Sequence, residues 1–184
     1  MRQKIYIGAA IIFVISILTL LIYGLFFASN PKEIPSALVT TKAKPFSFTS
    51  FDGQKLSLNQ FEGRPIVLNF WASWCFACRQ EAHILEAAHQ KYSPLGAVFI
   101  GIAINDKRED SLQFIQKYRK TYLLAPDDAS GSISIDYGVT AVPETFLIDG
   151  TGIIQHKQLG VVTTELIENF LKNQLMVQST IPQK

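Results

Sequence analysis

From Ile5 to Phe27 the chain runs for 23 residues without a charge, most of them Ile, Leu, Val, Phe or Ala. As a helix this run is roughly 34 Å long, enough for a hydrocarbon core of about 30 Å. It divides the chain into a membrane segment and whatever follows. Arg2 and Lys4 precede the run, and the flank Ala28-Ser29-Asn30-Pro31-Lys32-Glu33 is close to neutral. Basic residues stay on the cytoplasmic side, so residues 1–4 are expected inside and the remainder exported. A cleaved signal peptide would have an apolar stretch of about 7–15 residues and a small-x-small site. Phe26-Phe27-Ala28 is a poor site, so residues 5–27 read as an uncleaved single-pass anchor.

The remaining residues suffice for one domain with a real core. Net charge is +2, with acids and bases interspersed, which gives no field suited to nucleic acid. The densest basic run, Lys117-Tyr118-Arg119-Lys120, reads as a solvated helix end. Residues 28–45 carry Pro31, Pro35 and Pro45 and little apolar periodicity, and read as a linker. Alternation on both sides of Asp52-Gly53, with Phe46 and Phe48 before it and Leu56 and Leu58 after it, predicts a β-hairpin.

Three short, continuously apolar runs follow, at residues 66–72, 98–104 and 145–148. Such runs mark strands buried on both faces. Helical spacing separates them: Cys78, Ala82, Leu85, Ala88 and Tyr92 in one stretch, Leu112, Ile115 and Tyr118 in the next. Asp149-Gly150-Thr151-Gly152 is a tight turn into an antiparallel return strand at 153–159. A last helix is capped by Thr163 or Thr164 and buries Leu166, Ile167, Phe170 and Leu171. This order predicts an α/β domain over 46–176 with a mixed central sheet, followed by a flexible tail at 177–184.

The chain has two cysteines, Cys75 and Cys78. Bridging them closes so small a loop that chain entropy contributes only about 2 kcal/mol, less any closure strain. A structural staple is therefore a weak reason for the pair. A zinc site would need two further ligands, and His83, His89 and His156 are poorly spaced to supply them. The pair lies where an apolar strand gives way to a helix, in Trp71-Ala72-Ser73-Trp74-Cys75-Phe76-Ala77-Cys78-Arg79. Free N–H groups at a helix N-terminus stabilise an anion, and a thiolate at Cys75 is that anion. Cys75 is expected to attack a disulfide, and Cys78 to resolve the mixed disulfide. Trp74 either walls the site or belongs to the core.

Trp74-Cys75-x-x-Cys78 after an apolar strand, with Val142-Pro143-Glu144-Thr145-Phe146-Leu147-Ile148-Asp149 some 65 residues later, resembles thioredoxin-like proteins. Ile34-Pro35-Ser36-Ala37-Leu38, Gly63-Arg64-Pro65 and Leu68-Asn69-Phe70-Trp71-Ala72 narrow the resemblance. They point to the membrane-tethered cytochrome c maturation branch, the CcmG/DsbE type, with ResA and TlpA as kin. The resemblance spans about residues 32–171. It implies a thioredoxin fold with an added N-terminal hairpin, a cis-proline at Pro143 facing the cysteines, and acidic residues near the site at Glu81 and Glu144. A carboxylate there opposes thiolate formation and can take a proton from the resolving cysteine.

The same resemblance implies a disulfide reductant outside the cytoplasm, needing no bound cofactor. Its client would be apocytochrome c, whose Cys-x-x-Cys-His must be reduced before haem attaches, or a maturation partner. Re-reduction would come from a transmembrane electron donor in a bacterial inner membrane, the catalytic domain being periplasmic. Three other readings stay open: another envelope client, a dithiol oxidase, or a tethered adaptor for haem or apocytochrome. Phe76-Ala77 departs from the proline or charged residue common between the cysteines, and Thr140-Ala141-Val142 lacks a glycine frequent before the proline. Redox poise and substrate surface therefore do not carry over from the family.

Overall fold

The computed structural model describes residues 2–27 and 38–180, which form two separate units. The first is helix α1, Arg2–Phe27. Its stretch Ile5–Gly24 is long and apolar enough to cross a membrane. Large apolar side chains are exposed along its length, the pattern of a helix apolar on every face.

The second unit starts with a hairpin, β1 (Ser47–Thr49) and β2 (Lys55–Ser57), paired antiparallel with Phe48 opposite Leu56. A five-stranded sheet follows. Its members are β3 (Ile66–Trp71), β4 (Val98–Ala103), β5 (Leu123–Pro126), β6 (Glu144–Ile148) and β7 (Ile154–Leu159). The order is β5-β4-β3-β6-β7. β3, β4 and β5 are parallel, β6 is antiparallel to β3, and β7 is antiparallel to β6. Every residue of β3, β4 and β6 is buried, as the continuous apolar runs require. The helices are α2 (Phe76–Tyr92), α3 (Arg108–Lys117), α4 (Ser132–Asp136) and α5 (Thr164–Thr180). One core joins Val67, Trp71 and Phe99 of the sheet to α2, α3 and α5. The other joins Leu68, Phe70 and Phe146 to the hairpin and to Ile133 and Tyr137 beside α4. This is a mixed α/β thioredoxin-like fold.

The structure departs from the sequence reading in four places. Residues 28–37 of the expected linker lie outside the described residues, but 38–45 are part of the domain. Thr40 N–H donates to the Ile154 carbonyl at 2.8 Å, Ile154 N–H to Thr41 at 2.9 Å and Ala43 N–H to Gly152 at 2.8 Å. Backbone pairing along a strand edge needs no side-chain periodicity, so nothing in the pattern announced it. At the other end α5 continues to Thr180, inside the expected tail, and 181–184 lie outside the described residues. In α3 the buried residues are Ser111 and Phe114, and Leu112 is exposed. Phe114 stacks on Trp71 at 4.9 Å, and Ile115 and Tyr118 of the expected face pack half-buried against the same core, so only Leu112 falls outside it. Edge strand β5 and five-residue α4 were too short to show a period.

Gly101, mid-strand in β4, makes room for Trp71. A Cβ there would meet Leu124 Cδ2 at 2.6 Å, Trp71 Nε1 at 3.0 Å and Tyr122 Cε2 at 3.1 Å. A glycine inside a strand often marks such close approach. Gly101→Ala is expected to destabilise the domain by about 1–3 kcal/mol through overpacking. A lowered urea midpoint at unchanged slope is the expected result, and an unchanged midpoint would refute it.

Candidate active site

β3 ends at Trp71 and the chain turns at once into α2. Cys75 caps that helix, with an extended backbone (φ −76°, ψ 119°), and its Sγ accepts the N–H of Cys78 at 3.0 Å. The two cysteines are joined as a disulfide, their Cα atoms 5.3 Å apart. Across from the bridge the Val142–Pro143 peptide is cis. The Val142 carbonyl oxygen lies 3.5 Å from Cys75 Sγ. Cys75 is 5% exposed and Cys78 2%. Both are buried, Cys75 slightly less so than Cys78.

The loop between β3 and α2 is held from behind. Asp106, just after β4, accepts Ser73 N–H and Ser73 Oγ–H, each at 2.7 Å, and the Ser111 hydroxyl at 2.8 Å. Trp74 Nε1 donates to the Asn105 carbonyl at 3.0 Å. That bond fixes the indole while leaving Trp74 58% exposed, with Phe76 71% exposed on the other side of Cys75. Trp74 is thus an exposed residue beside Cys75 and not core.

Comparison with known proteins agrees with this geometry. Residues 39–157 match the AhpC/TSA family. The thiol:disulfide interchange protein DsbE of Allochromatium vinosum is 35% identical over 155 residues, covering 83% of this chain and 82% of that protein. DsbE of Escherichia coli is 32% identical over 146 residues, covering 78% and 77%. A crystal structure from Chlorobium tepidum described as DsbE superposes with a TM-score of 0.67 at 28% identity, over 73% of this chain and 95% of the other. The chain belongs to the DsbE family. It is a thiol-disulfide oxidoreductase.

The two acidic residues singled out by the DsbE resemblance lie on opposite faces of the sheet. Glu144 is in register with Phe70, whereas its neighbour Thr145 is in register with Asn69. Glu144 Oε1 accepts Thr140 N–H at 3.0 Å, the Thr140 hydroxyl at 3.1 Å and Ala141 N–H at 3.3 Å. Its Oε2 lies 2.8 Å from Lys157 Nζ, off the line of a hydrogen bond, so that contact is ionic. Oε1 therefore holds the segment that leads to Pro143, while Oε2 is paired with Lys157 of β7.

Glu81 lies on the other face, buried on α2 one turn after Cys78. Its Oε1 accepts Asn69 Nδ2–H at 2.8 Å and its Oε2 accepts Val162 N–H at 2.9 Å. Asn69 also donates to Thr145 Oγ1 at 3.0 Å. Burial raises the Glu81 pKa from 4.5 to about 7, against the two N–H donors and the charge of Lys120. Lys120 is itself buried, 6% exposed, and burial lowers its pKa to about 7. The reading of its basic run as a solvated helix end is thus corrected for this residue. Arg119 takes a left-handed conformation (φ 51°) just after α3 and turns the chain inward.

Sequence reasoning found Cys75, Cys78, Trp74, Pro143 and the carboxylates, but not Asp106, Asn69 or Lys120. Asn69 alone carried a signal, as a polar residue inside a fully apolar strand.

The Glu81 shift makes a stability prediction. Its folded pKa is raised, so the folded state keeps a proton that the unfolded chain releases. The resulting stabilisation is full below pH 4.5 and is lost as pH rises towards 7. Glu81→Gln should flatten the fall in urea midpoint between pH 4.5 and 7. A wild-type slope in the variant would contradict the assignment.

Proposed function

We propose that this protein is a membrane-tethered reductant of disulfides in the bacterial periplasm. The proposed client is the Cys-x-x-Cys-His site of apocytochrome c before haem attachment, or a maturation partner carrying it. One observation carries the reading: Cys75 sulfur receives a backbone N–H at the start of α2 while facing the Val142 carbonyl. A thiolate would be stabilised there, beside a backbone edge along which a client peptide can lie.

The reaction has two steps. Cys75 thiolate attacks the client disulfide, forming a Cys75–client disulfide and releasing one client thiolate. Cys78, its proton taken by the Glu81 carboxylate, attacks Cys75 Sγ and releases the second client thiol. The enzyme is left with the Cys75–Cys78 bridge, and two electrons have passed to the client. Trp74 and Phe76 flank the approach, and Glu144 holds the segment before Pro143 in place. Re-reduction needs two electrons from a donor in the membrane, because a periplasm has no glutathione buffer to supply them. α1 keeps the domain beside such a donor.

The direction follows from the buried carboxylate. A strong oxidant is strong because its reduced thiolate is stabilised. Here a group that is itself partly ionised near neutrality lies one turn below the cysteines and opposes a second negative charge. Equilibration with defined thiol buffers is expected to give a reduction potential near −270 mV or a little above. A value near −120 mV would make the protein an oxidant and overturn the cytochrome reading. In cells, Cys78→Ser should accumulate a mixed disulfide with the client, and Cys75→Ser should form none and lose function. Retained function in Cys75→Ser would indicate an adaptor instead.

A further inference from the structure

Residues 138–143, which end opposite Cys75, are neither helix nor strand. Gly138 and Val139 N–H return to α4, to the Ile135 and Ser134 carbonyls at 3.0 and 2.9 Å. The rest is gripped by the strands that follow. From β6, Glu144 Oε1 accepts Thr140 N–H at 3.0 Å and Ala141 N–H at 3.3 Å. From β7, Lys157 Nζ donates to the Gly138 carbonyl at 2.9 Å. Gly160 N–H, just past β7, donates to the Pro143 carbonyl at 2.9 Å. Lys157 Nζ also lies 2.8 Å from Glu144 Oε2. One ammonium thus touches the start of the segment and the carboxylate that holds its middle.

Strand register brings the two charges together. Lys157 is opposite Phe146, and Glu144 is opposite Leu159. Lys157 and Glu144 therefore share a face of the sheet as diagonal neighbours, within reach of a long side chain. Nζ also stands 5.0 Å from the Phe146 ring centroid, a contact that favours a cation. The pair is dry: the Glu144 side chain is 1% exposed and that of Lys157 8%. Apolar residues of similar volume often serve stability as well as a buried ion pair does. They could not accept two N–H groups and bind a carbonyl in one segment. The grip matters at the far end of that segment, where the Val142 carbonyl lies 3.5 Å from Cys75 Sγ.

We propose that Lys157 is a positioning residue for peptide disulfides: paired with Glu144 and bound to the Gly138 carbonyl, it fixes the backbone edge before Pro143 along which a client chain lies. This rests on the client edge proposed above. Lys157 acts through the segment and not on the sulfurs. The step it serves is the first one, in which Cys75 thiolate forms a bond to one client sulfur and the other leaves as a thiolate. A small disulfide needs only Cys75 for that step. A peptide disulfide also uses the edge, and binding energy made away from the reacting atoms is what a loosened edge would lose.

The test uses the full chain, reduced and in detergent, and follows its oxidation by two disulfides. One is an oxidised peptide containing Cys-x-x-Cys-His, the other hydroxyethyl disulfide. The wild type should react with the peptide faster by about tenfold or more. In Lys157→Met the second-order rate constant with the peptide should fall by about tenfold or more, while that with hydroxyethyl disulfide stays within about twofold. The reduction potential should not move, and Lys157→Arg should restore the peptide rate. A wild-type peptide rate in folded Lys157→Met would overturn the role of Lys157 alone. Equal slowing with both disulfides would make Lys157 merely structural and overturn it too. A wild type that reacts with the peptide no faster than with hydroxyethyl disulfide would overturn the client edge and this proposal with it. Should Lys157→Met not fold, the double variant Lys157→Met/Glu144→Gln leaves no unpaired charge in the core. It should be slow with the peptide alone, and wild-type rates with both disulfides would equally overturn the proposal.

Discussion

A carboxylate with no access to water, held by one N–H from a strand and one from a loop, is the constraint around which this domain is arranged. Glu81 ties α2 to β3 through Asn69 and to the segment before α5 through Val162. Asn69 also reaches across to Thr145 of β6. One polar cluster therefore joins the helix bearing the cysteines, the strand that delivers them and the strand that follows Pro143. An unpaired carboxylate there would be costly, and each oxygen is given a donor.

On the outer side the design is different. The Cys75 loop has few bonds of its own and is fastened by Asp106 and Asn105, which belong to the turn after β4. Fastening from behind leaves the front edge free, and Trp74 and Phe76 stand exposed there. Exposed aromatics beside a reactive group cost little when singly placed and give a client peptide apolar surface to cover. Glu144 performs the matching task across the site by holding the backbone before Pro143. The two walls of the approach are thus positioned independently, one from β4 and one from β6.

What was legible in the sequence follows the same division. The strands buried on both faces and the α2 stripe were readable because burial imposes a period or a run. The cysteine pair was readable because its chemistry needs a strand-to-helix switch. Residues 38–45 and β5 were hidden because an edge pairs through backbone, whatever its side chains. Pro143 and the carboxylates came only from likeness to a family, since neither a cis bond nor a buried charge leaves a local pattern. Likeness named Glu81 and Glu144 together, and only the register of β3 against β6 separates them. Lys120 misled because a basic helix end is ordinarily solvated. Its burial depends on Arg119 turning left-handed, a property of the packed chain.

Phe76 and Ala77, the residues between the cysteines, bring no charge to Cys75. Whatever polarises the pair must come from the backbone and from groups outside the motif. Two such groups are present: the N–H of Cys78 pointing at Cys75 sulfur and the buried Glu81 side chain one turn below. The first favours a thiolate at Cys75. In the proposed mechanism the second opposes negative charge on the pair and offers a base for the Cys78 proton. A reductant needs that combination: a nucleophile ready at the first cysteine, a proton acceptor for the second, and no excess stabilisation of the reduced state. In an apolar motif the division of labour rests on buried groups, so changes around Glu81 can retune the pair as surely as changes between the cysteines.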